Sequence, residues 1–240
     1  MKNRLIQLLR ANTTVAQAIK VQLSSDVAHV FLKGVISADF GVSAQDLRDA
    51  FDQSSGADVK LHVNSPGGDV FEAREMQSVI AGYKGKVFAQ VEGIAASAAT
   101  IVSMSASTVA MLKGSRYMIH NGWTLAMGDR HDMLDMHNVL ASFDAELAAE
   151  YAKHTGGAVE QMSNWMDAET WFTAEDAKKY GFVSDVIENT KNEAALGIAN
   201  AWNLSAYKNA PAPEDPPNNI EQWAATRVAN ARRLKLLELT

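Results

Sequence analysis

Val59-Lys-Leu-His-Val-Asn64-Ser-Pro-Gly-Gly68 is a short β-rich run that stops at a proline and two glycines, and its neighbours decide the fold. Directly after it, Asp69 to Tyr83 reads as a helix with Val70, Ala73, Met76, Ile80 and Ala81 on one side. Lys86 to Val91 is again a strand, followed by Gly93 and a small-residue helix from about Ser97 to Ser105. Thr108 to Leu112 and Arg116 to Ile119 are two more strands. Upstream, Val27 to Ile36 reads as one or two strands, and Ser43 to Phe51 as a helix capped by Ser43. Alternation of this kind predicts an α/β fold with crossover connections.

Further along, Met133, Met136, Leu140, Phe143, Leu147 and Tyr151 step by three or four, so Asp132 to Tyr151 is the longest expected helix, ended by Gly156-Gly157. Thr173-Ala-Glu-Asp176 has the form of a capping box opening a short helix that Gly181 closes. Phe182 to Ile187 is the last clear strand. Four of the five prolines, Pro211, Pro213, Pro216 and Pro217, then fall in one stiff, extended stretch. Beyond it, Ile220, Trp223, Ala224, Val228, Ala231 and Leu234 recur at helical spacing, with Arg227, Arg232, Arg233 and Lys235 on the polar side. The expected organisation is a main domain over residues 1–200 with its core at about 27–187, a proline-rich linker at 201–218 and an amphipathic helix at 219–240.

Composition narrows the function classes. A formal charge of -6 argues against nucleic acid as the main partner, which wants a basic face. The chain has no cysteine, which removes disulfides, thiolate metal sites and a cysteine nucleophile. The opening Met1-Lys-Asn-Arg-Leu-Ile-Gln-Leu-Leu-Arg10 has an apolar run too short for a signal peptide. Nowhere do about 18 apolar residues run uninterrupted, so no membrane span is expected and the expectation is a cytoplasmic protein.

Three segments carry chemistry. In Gly93-Ile-Ala-Ala-Ser97-Ala-Ala-Thr-Ile101 a strand enters a turn of small residues and a serine stands where a helix begins. The free N–H groups there stabilise an oxyanion, although Ser97 reads equally well as a simple helix cap. Gly67 and Gly68 let a substrate chain lie against the backbone, and the N–H groups of Gly68 and Ala98 are candidate oxyanion donors. A Pro-Gly-Gly alone is usually only a turn. His120 closes an apolar strand, where a histidine is more often a packed edge residue than a base. It follows Ser97 by a helix and a strand, a geometry that can return it beside the serine.

In this order and spacing, Asn64-Ser-Pro-Gly-Gly68, Gly93-x-Ala-Ala-Ser97 and Met118-Ile-His120 resemble the Clp-type proteases. Trp165-Met-Asp167-Ala-Glu-Thr-Trp-Phe-Thr-Ala-Glu-Asp-Ala-Lys-Lys-Tyr-Gly-Phe182 resembles that family's closing segment, and the likeness covers about Val27 to Ile187. Met-Asp-x-Glu-Thr-Trp and Met-Ile-His-Asn are most similar to the Clp-related head-maturation proteases of tailed phages and prophages. The resemblance implies a ClpP/crotonase-like superhelix of ββα units with a protruding helical handle formed by Asp132 to Tyr151. It implies a serine endopeptidase with Ser97 as nucleophile, His120 as general base, Asp167 orienting the histidine, and no metal or organic cofactor. It also implies a homo-oligomer of rings or stacked rings acting on protein substrates, capsid or scaffold proteins among them. His120 is followed by Asn121-Gly122 where the housekeeping family has Gln-Pro, and the tail lies outside the shared domain, so no ATPase partner carries over.

Other groups and readings weigh less. His131 and Asp135 share helical spacing, which is more often solvated surface than half of a metal site, and His29, His62, His137 and His154 show no ligand spacing. Asp129, Asp144 and Asp185 compete with Asp167 as the acid, Asp144 from within the handle and Asp185 from the last strand. Crotonase-type acyl-CoA enzymes share the fold without the Ser–His–Asp set, and serine-lysine signal peptidases need a membrane anchor. The rival from another class is a non-catalytic, ring-forming assembly or scaffold component with a vestigial triad.

Overall fold

The computed structural model describes residues 4–12, 15, 17–24, 26–188 and 202–211. The expected helix at 219–240, and residues 201 and 212–218 of the expected linker, lie outside these residues.

Five parallel strands form the backbone of the unit, in the order β2 (Val27–Lys33), β3 (Asp58–Ser65), β4 (Val87–Ala96), β5 (Thr108–Leu112) and β8 (Asp185–Ile187). β1 (Ala18–Leu23) adds antiparallel to β2. Alternation sets the faces: Ala28, Val30 and Leu32, with Val59, Leu61 and Val63 opposite them, are fully buried, as a strand period of two requires. Helices α2 (Ala44–Gln53), α3 (Val70–Ala81) and α4 (Ala98–Met104) are the crossovers, and their apolar faces complete the core with Leu47, Phe51, Met76 and Ile101. Ser43 caps α2 in a capping box with Asp46, and Asp69 caps α3 through the N–H groups of Phe71 and Glu72.

β4 is longer than its sequence suggests. It runs through Gly93 to Ala96 and changes partner on the way. Phe88 to Val91 pair with β5, whereas Ile94 to Ala96 pair in parallel with β6 (Arg116–Ile119). β6 in turn pairs antiparallel with β7 (Thr170–Thr173).

Helix α5 (Arg130–Thr155) is the expected handle, opened by Asp129 and closed by Gly156 in the left-handed conformation. Its last third is buried through Leu147, Ala148, Tyr151 and Ala152, while Met133, Leu134 and Val139 are exposed. α6 (Val159–Asp167) packs back on α5, and α7 (Ala174–Lys179) is capped by Thr173 as its sequence predicts.

A second, smaller core joins the two ends of the unit. Leu8 and Leu9 of α1 (Arg4–Ala11) meet Ile94, Met118, Trp202 and Tyr207. The first compact unit therefore extends to Ala210, and residues 202–210, expected within a linker, belong to the folded body. Among the described residues, no helix is long and apolar enough to cross a membrane.

Candidate active site

Ser97 sits between β4 and α4 with φ 55° and ψ -125°, in the left-handed half of the map. A residue with a β-carbon held there costs about 1–3 kcal/mol, and such strain persists only where the surroundings impose it. The imposing contacts are visible. Ser97 N–H donates to the Met118 carbonyl at 2.9 Å, and its own carbonyl accepts from the Thr100 N–H and hydroxyl at 2.9 and 2.6 Å. Thr100 is held in turn by the buried hydroxyl of Tyr151, 2.5 Å away. Ser97 makes no side-chain cap to its helix. Its hydroxyl instead lies 2.7 Å from His120 Nε2, which decides against the simple-cap reading.

The glycine loop lies directly against this turn. Gly67 has φ 88°, and a β-carbon there would stand 2.9 Å from the Ser97 β-carbon. Gly68 has φ 150° and packs on Ile36, whose N–H donates to the Gly67 carbonyl and whose carbonyl accepts from Asp69. That bridge does not use the N–H of Gly68. Gly68 and Ala98 flank Ser97 at the floor of one cleft of about 760 Å³. Its wall is apolar, with Phe71, Leu125 and Ile101 facing Met136, Leu140 and Phe143 of the handle. The apolar stripe of α5 is thus largely turned onto its own cleft, and Leu147 is buried in the core.

His120 is buried, 7% exposed, one residue beyond β6. Loss of water lowers its pKa to about 4; the charge of Glu169 pulls it upward and that of Arg4 downward. The base is therefore neutral over most of the pH range, ready to accept a proton.

Asp167 Oδ1 accepts from Asn121 Nδ2 at 2.6 Å, and no hydrogen bond joins Asp167 to His120 among the described residues. Glu169, two residues on, is the carboxylate whose charge acts on His120. It is 7% exposed, and its φ of 48° marks a left-handed turn after α6 that separates its direction from that of Asp167. Ser97 and Glu169 are two of only three described non-glycine residues with positive φ. Sequence reading did not single out Glu169, although it stands in the quoted closing segment. A second cavity of about 500 Å³ shares His120 with the cleft and is bordered by Arg4, Asp167, Glu169 and Lys208.

The competing acids are committed elsewhere. Asp129 caps α5, Asp144 accepts from the Gly122 N–H at 2.6 Å, and Asp185 pairs with Lys178 at 2.7 Å. His62, which shows no ligand spacing in sequence, bonds Glu92 at 2.5 Å and His29 at 2.9 Å on the opposite face of the sheet from the main core. Among the described residues no group of three or more ligating side chains is placed to hold a metal.

Known proteins agree with this frame. The sequence profile of the Clp protease family matches residues 10–190. The chain is 33% identical over 141 residues to the ATP-dependent Clp protease proteolytic subunit 1 of Corynebacterium jeikeium, covering 56% of this chain and 72% of that one. It is 31% identical over 147 residues to subunit 2 of Nocardia farcinica, covering 58% and 70%. A solved ClpP1 mutant from Listeria monocytogenes superposes with a TM-score of 0.60 at 24% identity, over 68% of this chain and 92% of that one. With three quarters of its length inside the family profile and the same fold, the chain belongs to the Clp protease family.

Proposed function

We propose that the protein is a serine endopeptidase in which Ser97 attacks the peptide carbonyl and His120 acts as general base. The observation that carries this reading is the 2.7 Å contact from His120 Nε2 to a Ser97 hydroxyl not engaged in capping. His120 takes the serine proton as the Oγ–carbon bond forms, then passes it to the leaving amine. The N–H groups of Gly68 and Ala98 receive the oxyanion. Water then attacks the acyl-enzyme, with His120 again as base, and the serine is regenerated. We assign the charge-balancing role beside His120 to Glu169, a buried carboxylate bordering the same cavity as the imidazole, rather than to Asp167, whose Oδ1 is bonded to Asn121. The apolar cleft wall favours substrates with an apolar residue ahead of the scissile bond.

The reading extends to context. The Clp-family membership supports a homo-oligomer with protein substrates, working in the cytoplasm. The closing-segment detail supports head maturation of a tailed phage or prophage, with capsid or scaffold proteins as substrates and the host cytoplasm as its place of action. The residues beyond 210 would serve as a tether to the immature shell.

A fluorophosphonate probe tests the core of the proposal. Ser97 should be labelled, and Ser97→Ala should stay folded, unlabelled and unable to cleave peptides. An unlabelled wild-type protein would favour the non-catalytic scaffold reading instead. Intact-mass analysis of coexpressed capsid components, with and without Ser97, tests the substrate class.

A further inference from the structure

Residues 202–210 lie beyond the span matched by the family profile, yet they touch each working part of the site. Tyr207 is buried, with its ring edge-on to His120 at 5.5 Å between centroids. Its hydroxyl donates to the carbonyl of Pro66, next to the two glycines. Trp202 Nε1 donates to Asn64 Oδ1 at 2.8 Å, at the other end of the same glycine loop. Asn209 N–H donates to Glu169 Oε1 at 2.6 Å, and Asn209 Nδ2 to the Ala168 carbonyl at 2.7 Å.

The segment is anchored away from the chemistry. Asn203 N–H donates to Asn12 Oδ1 at 2.7 Å, Asn12 Nδ2 to the Asn203 carbonyl at 3.0 Å, and Gln7 Nε2 to the Ser205 carbonyl at 3.0 Å. It runs behind His120, bordering the cavity shared by Lys208 and Glu169, and does not line the apolar cleft beside Ser97. The serine–histidine contact is formed with the segment in place. A plug would fill the cleft; this segment backs the base and leaves the cleft open.

We infer that residues 202–210 complete the active site, with Tyr207 and Asn209 as positioning residues that fix His120, the glycine loop and Glu169 for catalysis. The inference rests on the reading of Ser97 and His120 as nucleophile and base. Tyr207 sets the imidazole's plane and keeps water from its back, while its hydroxyl holds Pro66, and thereby Gly67 and Gly68, against the serine turn. Asn209 holds one oxygen of Glu169, which limits how the carboxylate presents its charge to the ring. The charged groups around His120 are Asp167 at the end of α6, Glu169 from the turn after it, Arg4 from α1 and Lys208 from the segment itself.

The test uses the full chain, a short peptide substrate and a fluorophosphonate probe across pH. Tyr207→Ala should lower kcat by about 10²-fold, the scale of a small misplacement at a reacting centre, with KM for the peptide unchanged. It should also move the acid limb of the labelling rate up, towards the ordinary imidazole value of 6.5, because water reaches the ring. Tyr207→Phe keeps the ring and loses the hydroxyl, so it should restore the wild-type acid limb and most of the rate, within about tenfold. Melting temperature and sizing establish that each variant is folded. A folded Tyr207→Ala protein with wild-type rate and pH profile would overturn the inference. So would a loss of rate that merely tracks the unfolded fraction. Absence of labelling in the wild-type chain would overturn the nucleophile assignment beneath it, a result distinct from the other two.

Discussion

Gly67 and Ser97 approach so closely that a β-carbon on the glycine would stand 2.9 Å from that of the serine. The glycine loop and the nucleophile's turn are therefore one packed unit, and neither can move without the other. Gly67→Ala adds that β-carbon at a backbone φ of 88°, where side chains are strained. The expected outcome is a loss of about 1–3 kcal/mol in stability and a fall in probe labelling larger than melting accounts for. Retention of full labelling would show that the loop can retreat from the serine.

The two acids two residues apart make opposite predictions. Glu169→Gln should slow peptide hydrolysis by more than about tenfold, because it removes the buried negative charge beside the imidazole that favours its protonated form. Asp167→Asn should cost less than about tenfold, because it disturbs a single hydrogen bond to Asn121. Single-turnover rates of the two variants decide the matter, and the reverse ordering would restore Asp167 to the triad.

Burial of His120 has two consequences for pH. The base stays neutral down to about pH 4, so the acid limb of kcat/KM should fall there rather than near 6.5. Stability carries the same signature. The folded imidazole binds its proton near 4 and the unfolded one near 6.5, so between these values the unfolded chain holds more protons. Stability contributed by the neutral histidine is present above 6.5 and lost as pH falls towards 4, by about 3 kcal/mol in total. Denaturant unfolding at several pH values, compared with His120→Gln, isolates this share.

On the handle, the exposed Met133 and Leu134 differ in role from the cleft-facing Met136, Leu140 and Phe143. Met133→Lys with Leu134→Lys should shift light-scattering mass towards smaller species. Leu140→Glu should instead weaken cleavage after apolar residues. A wild-type chain that is monomeric at micromolar concentration would remove the basis for the first expectation.

Tyr151 ties the root of the handle to the serine turn through Thr100. Tyr151→Phe removes that hydrogen bond and leaves Thr100 donating to the Ser97 carbonyl, at a cost of about 1 kcal/mol. Melting should drop by about 2–4 °C in a chain of this size. A much larger drop would mean that the hydroxyl supports more than Thr100.

How far the sequence discloses this molecule depends on what each residue type marks locally. Ser43 and Thr173 announce their helices because a cap is a local hydrogen bond, and β5 and β6 are delimited by the Gly114 turn between them. Ser97, His120, Gly67 and Gly68 are legible as an ordered set of motifs. β4 extends past the glycine expected to end it, since Gly93 and the small residues after it find a partner in β6. The choice between Asp167 and Glu169 is not legible, because it turns on a left-handed backbone at a glutamate, which no composition signals. Trp202 and Tyr207 are buried aromatic residues, but their partners at Asn64 and Pro66 lie about 140 residues away, at separations of 138 and 141. The nearby prolines outweigh them in any local reading.

The change of partner along β4 has a consequence for length. Ala96 pairs with Met118, and Ser97 and His120 stand one and two residues beyond that pair. Their meeting is thus counted off along two hydrogen-bonded strands from a shared starting rung. A substitution within Ile94 to Ala96 or Arg116 to Ile119 leaves the count intact. An added or deleted residue advances one side by about 3.3 Å and turns its side chain to the opposite face. The chain can alter what it spells in these two stretches far more readily than how many letters it uses.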